Sequence, residues 1–117
     1  MIVAGFGYRA QARVADLRAA LGADRPDALA SITAKATGPL AHLARDLGLP
    51  LIALDPGALH GVETPTTSAR MVATFGTGSL AEAAALVAVG PGARLIAPRR
   101  VGPGGLATVA FAEGTRK

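Results

Sequence analysis

The chain reads as apolar blocks separated by polar, glycine-bearing breaks, and the spacing inside the blocks switches between strand and helix. IVAGF (2–6) is a continuous apolar run of strand length. QARVADLRAALG after it places Val14, Leu17 and Leu21 at helical spacing, with Gly22 as a stop. ADRPD is a turn, LASIT (29–33) a second strand, and AKATG leads away from it. Pro39 stands where a first helical turn tolerates it, and LAHLARDL carries Leu40, Leu43 and Leu47 on one face before Gly48. LPLIAL (49–54) is a third strand, followed by a turn and a short helical piece in DPGALHG. TPTTS breaks the chain, and ARMVATFG carries a weaker helical pattern. SLAEAAALVAVG is the clearest helix: Ala-rich, opened by Ser79 three residues before Glu82 as a capping box, and closed by Gly90. ARLIAP and LATVAFA are two last strands around a flexible RRVGPGG turn.

Alternating strands and helices, followed by two strands in succession, place the chain in the α/β class. The pattern predicts a three-layer α/β/α domain with a mixed, mostly parallel sheet of about five strands and a closing antiparallel pair. A length of 117 residues suits a single domain spanning 1–117. Ligands in such sheets sit beyond the C-terminal ends of the strands. Three glycine-bearing segments, GFGYR, TAKATG and FGTGS, are expected to gather there.

Composition narrows the function classes. Half of the residues are hydrophobic but only 3% aromatic, so the core is built from Ala, Val, Leu and Ile. Absence of Cys excludes disulfides, thiolate catalysis and thiolate metal sites. No apolar run reaches the roughly 20 residues of a membrane span. The N-terminus lacks the order of a signal peptide, so the expectation is a cytoplasmic protein with no membrane partner. Twelve Lys and Arg against eight Asp and Glu, with a pI near 10.7, favour anionic partners. The Arg residues are scattered, running together only at Arg99–Arg100 and in the tail, and few aromatics are available to stack on bases. Nucleic acid is therefore not the expected partner; a phosphate or a polycarboxylate suits the charge.

The candidate chemistry lies in the glycine-bearing segments. GFGYRA fits G-x-G-x-x-A, a variant of the dinucleotide fingerprint, between a strand and a helix. Gly5 and Gly7 at a strand end would let the backbone turn tightly and a ligand approach. The acid that would hold a ribose after the second strand is missing, and Lys35 stands in that loop. Arg9 can aim its fork at a carboxylate or phosphate, or pair locally with Asp16. Thr77, Gly78 and Ser79 at the start of the Ala-rich helix form an anion site or an ordinary cap. Ser31 and Lys35 follow the second strand in the same way, as ligand contacts or as a strand residue and a solvated amine. His42 and His60 show no metal spacing, His42 falls on the polar face of its helix, and neither a metal nor another cofactor is expected.

Taken together, these stretches resemble the CobE/CbiG C-terminal family of cobalamin biosynthesis. The matching features run in order along nearly the whole chain: G-x-G-x-R (Gly5, Gly7, Arg9), S-I-x-x-K (Ser31, Ile32, Lys35), LARDLGLPL, Val62–Pro65–Ser68, and G-T-x-S-x-A-E-A-A-A-L from Gly76 to Leu86. Thr108, Ala110 and Ala112 supply the closing T-x-A-x-A strand. The GTGSLAEAAAL block is the most specific of them. The chain departs from the family at Tyr8, where a Cys is usual, at Ala10, where a further Gly is usual, and in TGP, which lacks an acid found after the Lys.

The resemblance implies a role in building the corrin ring. With Met1 directly before the first strand, the chain resembles the family's stand-alone form. That form implies a protein binding a late corrinoid or precorrin intermediate, such as hydrogenobyrinic acid, as carrier or accessory to pathway methyltransferases. Gly5, Gly7, Tyr8, Arg9, Ser31, Lys35, Thr77, Gly78 and Ser79 are the expected ligand contacts. A second implied activity is lactone opening on a cobalt-precorrin, with Glu82 or His60 activating water. A nucleotide-binding module using GFGYRA is the alternative from outside the family.

Overall fold

The computed structural model describes residues 1–114; the basic tail, Arg116 and Lys117, lies outside the described residues. The strands are β1 (Ile2–Tyr8), β2 (Ala28–Ile32), β3 (Leu51–Leu54), β4 (Arg94–Leu95), β5 (Arg100–Val101) and β6 (Ala107–Glu113). Helices α1 (Val14–Leu21), α2 (Gly38–Leu47), α3 (Ala69–Phe75) and α4 (Leu80–Val89) connect them, with short 3-10 turns at 33–35, 56–59 and 103–105. The sheet order is β3-β2-β1-β6-β4, and β5 also pairs with β6. β1, β2 and β3 are mutually parallel, whereas β6 runs antiparallel to β1, β4 and β5. This is the three-layer α/β/α arrangement with a mixed sheet that the periodicity predicts.

Strand alternation sorts the core into two layers. Ala4 and Phe6 of β1, with Leu29 of β2 and Val109 of β6, pack against Leu17, Leu21, Leu40 and Leu43 of α1 and α2. Val3, Ala28, Ala30 and Ile32 point to the other face, toward α4. Gly5 shares that face, and α4 lies directly on it: a methyl group built on Gly5 would stand 2.5 Å from the Ala85 amide nitrogen. Residues 80–85 are all buried, because this helix lies in the middle of a face rather than along a rim. A helix apolar on nearly every side is suited to that place.

Two expectations are corrected. Gly5 and Gly7 do not end β1 in a tight turn; the strand continues through both to Tyr8, paired along its length with β6. Neither glycine has positive φ, so their smallness serves close approach rather than a bend. The closing strands also differ. ARLIAP pairs only at Arg94–Leu95, and pairing resumes at Arg100–Val101, inside the segment expected to be a flexible turn. Between the two, Ile96 to Arg99 stand opposite Ala110 and Phe111, forming a bulge around Pro98, which has no N–H to give the ladder. The divided edge raises the strand number to six.

Candidate functional site

A cleft of about 760 Å³ opens where β1 ends. The chain leaving β1 supplies Tyr8, Arg9 and Gln11; Lys35 comes from the 3-10 turn after β2, and Leu106 to Thr108 from the start of β6. Helix α3 adds Arg70, Met71, Thr74 and Phe75, and the bulged edge strand adds Arg99 and Val101. Because β6 is antiparallel to β1, its first residues lie beside the last residues of β1 and close the cleft on that side.

Four cations line this cleft, Arg9, Lys35, Arg70 and Arg99, and no Asp or Glu does. Among the described residues, the ion pairs are Arg18 with Asp46, which His42 Nε2 also approaches at 3.4 Å, Arg94 with Glu113, and Arg100 with Asp24, so none of the four has a carboxylate partner. Asp16, the local acid available to Arg9, instead accepts from the Arg13 amide at 2.8 Å and caps α1. Arg9 is held through its backbone, whose N–H donates to the Leu106 carbonyl at 2.9 Å. The guanidinium is left exposed at the cleft mouth.

Tyr8 and Lys35 hold the strand end and the following loop together. The Tyr8 hydroxyl donates to the Lys35 carbonyl at 2.7 Å, and the Lys35 ammonium donates to the Tyr8 carbonyl at 2.6 Å. The ammonium also lies 4.9 Å from the centre of the Tyr8 ring, within cation–π range. Partial burial lowers the Lys35 pKa from its ordinary value, and the nearby Arg70 charge lowers it further. Burial raises that of Tyr8. Leu80, Phe75, Met71 and Leu106 give the cleft an apolar surface beside the charges.

The structure therefore brings Gly7, Tyr8, Arg9 and Lys35 into one cleft, and places the other expected contacts elsewhere. Gly5 lies under α4. Ser31 is buried and donates to the Phe6 carbonyl at 2.8 Å. Thr77 is buried and donates to the Val62 carbonyl at 2.6 Å. A methyl group on Gly78 would stand 2.5 Å from the Thr66 carbonyl oxygen, so this loop is packed against its neighbour. Ser79 is buried and accepts from the Glu82 amide at 3.3 Å as the cap of α4. Thr77, Gly78 and Ser79 are thus packed within the protein's own chain, whereas Leu80, the first residue of α4, reaches the cleft.

Neither candidate base lines the cleft. Glu82 is buried behind it, accepting from Thr66 and from the Arg99 amide. His60 ends the 3-10 turn at 56–59, its ring so close over Gly76 that a methyl there would stand 2.8 Å from the ring's Cγ. The GFGYRA segment forms no phosphate-binding turn, since both its glycines lie within β1. Among the described residues no three His, Asp or Glu gather as a metal site, and no single helix is long and apolar enough to cross a membrane.

Arg70 and Arg99 escape the sequence reading. Arg99 was visible only as half of a basic pair, and Arg70 stood in a weak helix pattern with no motif around it. No spacing rule connects positions 9, 35, 70 and 99; the sheet order does.

Comparison with known proteins places this geometry in context. The family model described as "Cobalamin synthesis G C-terminus" matches residues 2–112. The crystal structure of CobE, a protein from the cobalamin (vitamin B12) biosynthetic pathway, is similar at 33% identity and a TM-score of 0.86, covering 99% of this chain and 95% of CobE. The cobalamin biosynthesis protein chiG from Agrobacterium tumefaciens str. C58 is similar at 36% identity and a TM-score of 0.76, covering 99% of this chain and all of that one. No curated protein sequence matches. A family match across nearly the whole length, with two solved relatives of the same fold and size, means that the chain belongs to the cobalamin synthesis G C-terminal family and is a cobalamin biosynthesis protein of the CobE/CbiG type.

Proposed function

We propose that the cleft binds an acid-fringed corrinoid intermediate, with hydrogenobyrinic acid as the representative ligand, and that the protein serves the pathway as a carrier or accessory to its methyltransferases. The observation carrying this reading is the set of four cations, Arg9, Lys35, Arg70 and Arg99, around one cleft with no acid in its lining. Like charges gathered without counter-charges repel one another, and an anion with several carboxylates relieves that repulsion at several points together. Arg forks suit carboxylates bidentately and also lie flat on conjugated rings.

A corrinoid presents two faces of chemistry, an apolar ring and a carboxylate fringe. The Leu80, Phe75 and Leu106 surface suits the first and the cations suit the second. The volume of about 760 Å³ falls within the roughly 300–1,000 Å³ of small-molecule sites. Binding rather than hydrolysis is the reading favoured here, because Glu82 and His60 both stand off the cleft.

Titrating the purified protein with hydrogenobyrinic acid and following its visible spectrum tests the proposal. A saturable spectral change that weakens with added salt is expected. No change at any protein concentration would remove the corrinoid from the account.

A further inference from the structure

Glu82 occupies the third position of α4, where a capping box would turn its carboxylate back to the Ser79 amide. Only the serine half of that box forms. The Glu82 carboxylate turns away from its own helix. Its Oε1 accepts from the Thr66 amide at 3.0 Å, and its Oε2 accepts from the Thr66 hydroxyl at 3.0 Å and from the Arg99 amide at 2.6 Å. The residue is fully buried, and among the described residues no cationic side chain pairs with it.

Those donors come from two segments distant in sequence, and both lead into the cleft. Thr66 stands two residues before Ser68, the N-cap of α3, the helix that carries Arg70. Arg99 is the last residue of the bulge that divides the edge strand, just before the pairing at Arg100 resumes. α3 has no fully buried residue; Met71 and Phe75 rest partly buried on the cluster of Ile32, Leu59 and Leu80, and the anchors at its ends add to that modest hold. The other anchors include the Ser68 amide, which donates to the Gly78 carbonyl at 2.9 Å, and the Thr77 hydroxyl, which donates to the Val62 carbonyl at 2.6 Å. Glu82 is the side chain that reaches both the α3 segment and the bulge.

We infer that Glu82 is the positioning residue of the cleft: its carboxylate ties the α3 segment and the bulged edge strand to the first turn of α4, and so fixes Arg70 and Arg99 relative to each other. Its role in ligand affinity rests on the anionic-ligand reading above; its role as a tie does not. A carboxylate is the group the geometry requires, since it only accepts, and three donors converge on it. Glutamine would point an amide N–H2 at one of those donors, leaving two donors face to face. Charge-assisted bonds to a buried acceptor are also stronger than their neutral counterparts.

The test combines binding and distance. Glu82→Gln is expected to weaken hydrogenobyrinic acid binding by about tenfold. Introduced into a chain already carrying Arg70→Ala and Arg99→Ala, the same substitution is expected to cost less than about twofold, because the groups it positions are gone. Equal losses in both backgrounds, or no loss in either, would overturn the inference. Thr66→Val, which removes the hydroxyl donor and keeps the amide, is a milder variant should Glu82→Gln fail to fold; a loss of about threefold is expected, and no loss would count against the tie. The chain has no Cys, so spin labels can be placed cleanly at Ala73→Cys on α3 and Ala97→Cys on the bulge, both exposed. A narrow distance distribution that broadens with Glu82→Gln, or with Thr66→Val, is expected. If the unsubstituted protein binds no hydrogenobyrinic acid, the proposed function fails while this distribution still decides the tie; an unchanged distribution would refute it.

Discussion

The backbone of Ala85 in α4 rests on Gly5 of β1, so close that a methyl group on Gly5 would stand 2.5 Å from the Ala85 amide nitrogen. The first glycine of G-F-G is thus the seat of the helix that covers this face of the sheet. Its Ala-rich sequence is the complementary feature, because small side chains let the helix backbone come down onto the strand. The glycine and the alanines specify one contact from both sides.

Gly5→Ala should therefore destabilise the fold by about 1–3 kcal/mol, as overpacking at a tight core contact does. Gly57→Ala is the control, since a methyl there meets only the Asp55 side chain at ordinary contact distance and φ is not positive. Urea unfolding of the two variants measures the difference. Equal stabilities would mean that α4 shifts freely on the strand.

Arg9→Ala should weaken binding of hydrogenobyrinic acid by about tenfold. Its effect on stability should stay within about 0.5 kcal/mol, as for a surface side chain without partners. The two effects are read from a spectral titration and a thermal melt of the same sample. Unchanged affinity would take Arg9 out of the site.

Lys35 gives the protein a pH signature. Its pKa in the folded protein lies below the ordinary 10.5, first through burial and then through Arg70. Between the lowered value and 10.5 the unfolded chain holds more protons than the folded one, so this group makes stability rise with pH through that window. Tyr8, raised above 10.0, acts in the opposite direction from pH 10.0 upward, overlapping the top of the Lys35 window. Anion binding should fall across the Lys35 window as its charge is lost. The chain has only two lysines, so labelled lysine signals followed by NMR report Lys35 directly, with Lys35→Arg identifying which signal is its own. Arg70→Ala should raise the Lys35 titration part of the way, and bound hydrogenobyrinic acid should raise it too. Titration at the ordinary value in the unliganded protein would contradict this picture of the cleft.

Much of the fold is legible in the sequence because each element carries its own signal. Leu40, Leu43 and Leu47 mark the inward side of α2, and Gly48 ends it in the left-handed conformation at φ 68°. The Ala-rich run of α4 is equally plain. The reading fails where the deciding contact is remote. β1 extends past Phe6 because β6, a hundred residues later, pairs with Gly7 and Tyr8. The edge strand divides because Pro98 interrupts its ladder, which no local apolar count reveals.

The site follows the same rule. Tyr8, Arg9 and Lys35 are legible as residues at or just beyond strand ends, where parallel sheets place their ligands. Thr77 and Ser79 looked like anion donors because a helix start and a run of small polar residues carry that signature. The signature cannot report that Thr66 and its neighbours cover the loop. Arg70 has no local signature, Arg99 shows only as half of a basic pair, and Glu82 has one that points to its own helix rather than to Thr66 and Arg99 behind the cleft.

The most direct measurement is an amide chemical-shift map of the labelled protein titrated with hydrogenobyrinic acid. The largest changes are expected at Tyr8 to Gln11, Lys35, Arg70 to Phe75, Arg99 and Leu106 to Thr108, all around one cleft. Changes centred instead on the buried Thr77 to Ser79 segment, or on the α1–α2 face, would contradict the claim that this cleft is what grips the ligand.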